Sequence, residues 1–226
     1  MVHIALEGID GCGKSAQMLR LTSFLEAAGT KHEVYEYTKK RSERLRARIE
    51  AWRRWCGNGQ RPLRFHERLV QEMLYAANAR RNWRCLGKAS PLIVADRSIL
   101  TAFVAHRNLL PWAALSWRII RLVEWSIPVP DGVILLDLEP AVADDRIRVR
   151  GQPRNADENL AVLKGMQATY HELRERAPLG CLGRIRWKIV DASLSEEAVA
   201  GRVAEAFNSL LLECGAMECA EAPAGA

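Results

Sequence analysis

Apolar residues change their spacing repeatedly along this chain. Short, dense apolar runs alternate with stretches in which apolar positions recur every three or four residues. The dense runs read as strands at His3 to Glu7, His32 to Tyr37, Pro91 to Ala95, Gly132 to Leu138 and Arg184 to Val190. The wider spacing reads as helices. Met18, Leu21 and Leu25 form a stripe that stops at Gly29. Ser42 to Trp55 is an Arg-rich helix closed by the loop GNGQRP, and Leu63 to Leu86 is a long helix. Ile99 to Arg107 and Trp112 to Ser126 flank Pro111, and Pro140 opens a helix running to Arg150. Asp157 to Arg176 follows. The last helix carries Val199, Val203, Phe207 and Leu210 on one face, with Ser193 and Glu196 as its expected capping box. Strand and helix in alternation predict an α/β three-layer sandwich. Its sheet is five-stranded and mainly parallel, with helices on both faces.

The 226 residues suit one domain over 1–212, with a polar loop at about 150–157 as a candidate lid and 213–226 as a flexible tail. The apolar runs are strand-sized, too short to span a bilayer, and the N-terminus leads directly into a strand, so a soluble cytoplasmic protein with no membrane partner is expected. Six cysteines without a C-x-x-C pair read as reduced thiols, and the scattered histidines give no zinc spacing. Trp112, Trp117 and Trp125 suit either a core or an oligomer surface. The net charge is +6, concentrated in Lys39 to Arg54 and Arg146 to Arg154. Two readings fit such clusters: nucleic-acid binding, or binding of polyphosphate substrates. Their position on either side of a phosphate motif favours the second, with no nucleic acid expected.

That motif follows the first strand. Gly8-Ile9-Asp10-Gly11-Cys12-Gly13-Lys14-Ser15 matches G-x-x-x-x-G-K-[ST] in full, between a strand and an amphipathic helix. Glycines let the backbone N–H groups close on phosphate oxygens, and the helix opening at Lys14, Ser15 and Ala16 adds its N-terminus. Lys14 would reach the β- and γ-phosphates of ATP, and Ser15 would bind Mg²⁺. These make the fold a P-loop NTPase sandwich. A second signal is Asp96-Arg97-Ser98 at the end of the strand LIVA, where open α/β sheets bind ligands. Asp96 suits a water-mediated contact to Mg²⁺ and Arg97 a phosphate fork; a structural ion pair is the plainer reading. Third, Arg146 and Arg150 share a helix face, with Arg148 between them and Arg154 in the following loop. They suit either a closing cationic lid or a solvated basic surface.

In EGIDGCGKSAQ, VADRS, PDGVILLDLEPAVADDRIRVRG and IVDASLSEEAV, taken in this order over roughly residues 2–210, the chain resembles the thymidylate kinase family of nucleoside monophosphate kinases. The resemblance implies ATP-dependent phosphorylation of dTMP or a related pyrimidine nucleotide, with Mg²⁺, and a homodimer through packed helices. It implies that Asp10 sits near the sugar and acceptor phosphate, that Arg97 binds that phosphate, and that Arg150 lies against ATP. Catalytic roles would fall to Lys14, Asp10, Arg97, Arg150 and Arg154. Tyr75 falls where the family stacks a phenylalanine on thymine; helix core is the alternative. Arg41, with Lys39 or Lys40 beside it, matches the family's arginine after the second strand.

Several positions depart from the family pattern. Ala79 replaces a base-reading arginine, with Arg80 and Arg81 just beyond. Ser98 replaces a tyrosine, His106 a glutamine, and Ala156-Asp157-Glu158 the lid's Arg-aromatic-Glu. The donor half of the site thus reads as intact and the acceptor half as altered. A degenerate nucleotide-binding regulator, or an NTPase without a monophosphate acceptor, is the alternative.

Overall fold

The computed structural model describes residues 1–39, 42–57, 61, 63–87, 90–110, 118, 122, 126–151, 159–176 and 185–215. Arg41, Arg154, the three lid positions 156–158, all three tryptophans at 112, 117 and 125, and most of the tail lie outside these residues, as does most of the helix expected between Trp112 and Ser126.

Among the described residues five strands form one sheet: β1 (Val2–Glu7), β2 (Glu33–Glu36), β3 (Leu92–Asp96), β4 (Gly132–Asp137) and β5 (Arg186–Asp191). They pair in the order β2-β3-β1-β4-β5, all parallel. Parallel pairing needs a crossover between strands, and the helices supply it. These are α1 (Lys14–Ala27), α2 (Glu43–Trp55), α3 (Phe65–Arg84), α4 (Ile99–Leu109), α5 (Pro140–Val149), α6 (Leu160–Arg176) and α7 (Glu196–Glu213). Burial follows position in the sheet. Every residue of the central β1 is buried, whereas in the edge strand β5 Val190 alone is buried and Ile189 is exposed. This is why β1, β3 and β4 read as continuous apolar runs and β5 does not.

Side chains on successive strand residues point to opposite faces. Ile4, Leu6 and Val94 join Met18, Leu21 and Leu25 of α1 and Val199, Val203 and Phe207 of α7 in the larger core. Ala5, Ile93 and Ala95 face the other way, with Tyr35, Ala79 and Ile99. His3 is buried on this second side, with its ring centroid 5.1 Å from that of Trp83. Burial pushes its pKa down to about 3, so the imidazole is neutral at physiological pH.

One expected cap is corrected. Ser195, not Ser193, caps α7, accepting the Ala198 N–H at 3.3 Å. Ser193 is drawn instead to Asp191, which accepts its hydroxyl at 2.6 Å and its N–H at 2.9 Å. Both serines precede an acidic pair, so the sequence alone did not separate them. Among the described residues no helix is long and apolar enough to cross a membrane.

Candidate active site

The carboxyl ends of β1 and β3 lie side by side, with Leu6 opposite Asp96. The loop leaving β1 holds Gly8, Gly11 and Gly13 at φ values of +144°, +85° and +91°. A Cβ at Gly8 would lie 2.6 Å from the Leu136 carbonyl oxygen, and one at Gly11 2.6 Å from the Ala143 carbonyl oxygen. Only glycine meets both the backbone angle and the contact at these positions. The resulting loop keeps Cys12 N–H on Ile9 O and Ala16 N–H on Gly13 O, while the N–H groups of Gly11, Gly13, Lys14 and Ser15 donate to no described residue. Gly13 caps α1 without a side-chain acceptor. A row of unspent N–H groups at a helix N-terminus is a cradle for a polyanion. Lys14 Nζ spans the loop, donating to Gly8 O at 2.8 Å and Ile9 O at 2.7 Å. A cavity of about 390 Å³ lies over this loop, lined by Lys14, Ser15, Ala16, Arg97, Arg146 and Arg150 among others. Arg146 and Arg150 therefore share a face, as their spacing predicts. Arg148, between them, pairs with Asp144 at 2.6 Å.

Asp10 and Arg97 form the hinge between this cavity and the next. They make an ion pair and hydrogen bond from the tip of the loop to the end of β3. Arg97 adopts φ +67°, the left-handed region that a non-glycine residue enters at a cost of about 1–3 kcal/mol. Its N–H is held by Leu6 O at 3.1 Å, so the turn is fixed by the sheet. The Arg97 guanidinium holds the Asp10 carboxyl at about 2, against an ordinary 3.8, with Lys14 and Arg150 adding to the effect and burial opposing it. A depressed carboxylate stabilises the fold fully above its unfolded value and ceases to do so as pH falls through its folded value. Asp10→Asn should therefore differ from wild type in urea midpoint by a constant amount between pH 5 and 7. That difference should shrink from about pH 4 toward pH 2; a difference unchanged down to pH 2 would contradict the pairing.

Beneath the pair lies the acid that opens the stretch EGIDGCGKSAQ, to which the sequence reading gave no role. Glu7, the last residue of β1, is fully buried. Its carboxylate accepts the Ser98 N–H and hydroxyl at 2.7 Å each, the Thr101 hydroxyl at 2.7 Å and the Tyr170 hydroxyl at 2.9 Å. Burial pushes the Tyr170 phenol well above its ordinary pKa, with Glu7 adding to the rise, so it remains a donor. Ser98 also caps α4 by accepting the Leu100 N–H at 3.2 Å. A small hydroxyl fits this double task, which accounts for serine at a position where a ring was expected.

A second cavity, of about 470 Å³, opens on the other side of the Asp10–Arg97 pair. Its lining includes Tyr37, Arg68, Glu72, Tyr75 and Tyr170 as well as Asp10 and Arg97. Tyr75 is half-buried and faces this space. Ala79 is fully buried and its carbonyl accepts the Tyr35 hydroxyl at 3.2 Å. Arg80 lies with Arg44, Arg48, Arg81 and Arg84 along a separate groove between α2 and α3. It does not replace the missing arginine, because one residue along a helix turns the side chain by about 100°. Asp96 stands at the end of β3 but lines neither cavity. Lys39 is paired with Glu36 at 2.8 Å, and its carbonyl accepts the Asn78 and Asn82 amides at 3.0 and 2.6 Å. Those bonds anchor the segment that leads to Arg41.

A parallel sheet with a phosphate cradle at its carboxyl edge, and a second polar cavity meeting it at one charged pair, defines a P-loop phosphotransferase. The thymidylate kinase family model matches residues 6–203. A probable thymidylate kinase of Pyrobaculum aerophilum is 27% identical over 209 residues, which cover 91% of this chain and 95% of that protein. A thymidylate kinase of Akkermansia muciniphila is 29% identical, covering 91% and 90%, and one of Xanthomonas oryzae pv. oryzae is 31% identical, covering 67% and 63%. The chain belongs to the thymidylate kinase family. It is accordingly a nucleoside monophosphate kinase that uses ATP and Mg²⁺.

Proposed function

We propose that this chain transfers the γ-phosphoryl group of ATP to dTMP, giving dTDP and ADP. The observation that carries this reading is that the two cavities share Asp10 and Arg97, so a donor over the loop and an acceptor beside α3 would meet at one point.

The proposed division of labour follows from the charges. The free N–H groups of the loop and Lys14 hold the donor's phosphates. Arg97 grips the acceptor phosphate, assisted by Arg41, and Asp10 fixes the angle of that guanidinium. Arg146, Arg150 and Arg154 spread positive charge over the moving group. Tyr75 stacks on the base. Ser15 lines the loop cavity and would hold Mg²⁺, which neutralises phosphate charge when bound. Phosphoryl transfer asks little covalent chemistry of the protein, so positioning and electrostatic stabilisation suffice.

The departures on the acceptor side make the acceptor the point to test. ADP release should be measured with ATP against dTMP, dUMP, UMP, CMP, dCMP, GMP and AMP. The highest kcat/KM is expected with dTMP. ADP release independent of any monophosphate would instead indicate an NTPase.

The same reading includes a homodimer. Its support is the exposed apolar surface of α2 and α3, where Trp55 is 66% exposed and Phe65, Val70 and Met73 are also open. Sedimentation at micromolar concentration should give twice the mass of one chain, and a monomer there would remove the dimer from the account. The proposed location is the cytoplasm.

A further inference from the structure

Two buried carboxylates near the site, Glu7 and Glu72, are treated very differently by their surroundings. Glu7 is saturated by four hydrogen bonds of 2.9 Å or less. Glu72 is 8% exposed, yet among the described residues it makes no hydrogen bond. Its nearest polar partners stand at ion-pair range: Arg68 Nη1 is 3.8 Å from Oε1 and His106 Nε2 is 3.6 Å from Oε2. A carboxylate removed from water is normally surrounded by short donors. One that stands beside a guanidinium and an imidazole without hydrogen-bonding either, and that lines a cavity, has acceptor capacity directed at whatever fills the cavity.

The position on α3 indicates what that is. Arg68, Glu72 and Tyr75 all line the acceptor cavity, and Glu72 and Tyr75 stand three residues apart on one helix face. A base stacked on the Tyr75 ring would present its edge, not its face, to a neighbour on the same helix. Arg68 and His106 hold the Glu72 side chain between them, so the acceptor is preset in place.

We infer that Glu72 reads the acceptor base by accepting its ring N–H, with Arg68 and His106 as positioning residues. The substrates selected are pyrimidine monophosphates that carry N3–H, namely those of thymine and uracil. This rests on the chain being a dTMP kinase. It also accounts for the fully buried Ala79: base reading moves to a carboxylate seven residues, about two turns, earlier on the same helix.

The experiment compares dTMP with N3-methyl-dTMP, which loses only the donor and gains a methyl group, in wild type and in Glu72→Ala. Wild type should favour dTMP by about 100-fold in kcat/KM. In Glu72→Ala that ratio should fall below about 10, because the turnover of dTMP drops while N3-methyl-dTMP changes little. The KM for ATP should stay as in wild type, since the loop is untouched. A purely structural role would lower both acceptors equally and leave the ratio intact, and that result overturns the inference. Arg68→Met combined with Glu72→Leu removes both members of the buried pair at once and carries the same comparison should the single variant fold poorly. Wild type that turns over dTMP, with a ratio unaffected in both variants, defeats the base-reading role alone. Absence of any transfer to dTMP by wild type defeats the function on which it rests.

Discussion

Lys14→Ala is expected to lower kcat for phosphoryl transfer by roughly 10²–10³-fold, with the chain still folded. Lys14 is 6% exposed and its ammonium lies across the loop on Gly8 O and Ile9 O. No other lysine lines the loop cavity among the described residues, and the nearby arginines approach it from α5 and β3. Removing the ammonium takes away a charge fixed at the place where negative charge builds during transfer, and water filling the space must reorganise to replace it. The two carbonyls it leaves lie beside an open cavity, so hydration offsets part of their loss and stability should change by only about 1 kcal/mol. Steady-state kinetics together with a urea melt would separate these effects. A kcat within tenfold of wild type would show that the loop does not hold the reacting phosphate.

Glu7→Ala is expected to act the opposite way, through stability. The substitution leaves the Ser98 N–H and the hydroxyls of Ser98, Thr101 and Tyr170 without their shared acceptor in a fully buried site. It also opens a cavity at the end of the central strand. Truncating one member of such a buried polar network costs about 3–5 kcal/mol, a large share of the roughly 5–15 kcal/mol that holds a domain together. Tyr170→Phe removes one donor together with its hydroxyl and should cost only about 1 kcal/mol. Urea unfolding of the two variants tests the hub directly. Comparable losses for both would mean that Glu7 does not organise the cluster.

Much of this was legible in the sequence because the signals are local. The phosphate loop needs positive φ at fixed positions, and three glycines announce it. The central strands are buried on both faces and therefore read as unbroken apolar runs, which made the sheet and its helical layers recoverable. The family resemblance then placed Asp10, Arg97 and Arg150, helix spacing put Arg146 on the face of Arg150, and these converge on one crevice. What sequence reasoning missed was non-local. Glu7 is an acid ending an apolar strand, a visible oddity, but its partners stand 91 to 163 residues away. Tyr170 looked like any member of a helix stripe. Glu72 sits among polar helix residues, and only the packing of α4 against α3 brings His106 to it. The serine caps near β5 were misassigned because two serines with acids downstream fit one local rule equally well.

The central claim is that the γ-phosphoryl group passes to a nucleoside monophosphate held beside the Asp10–Arg97 pair. Incubation with γ-³²P-ATP and dTMP, followed by separation of the nucleotides, tests it most directly. The account predicts that label leaves ATP and is recovered in the β-position of dTDP, with one dTDP formed per ADP. Label recovered as inorganic phosphate at a rate indifferent to dTMP would contradict it.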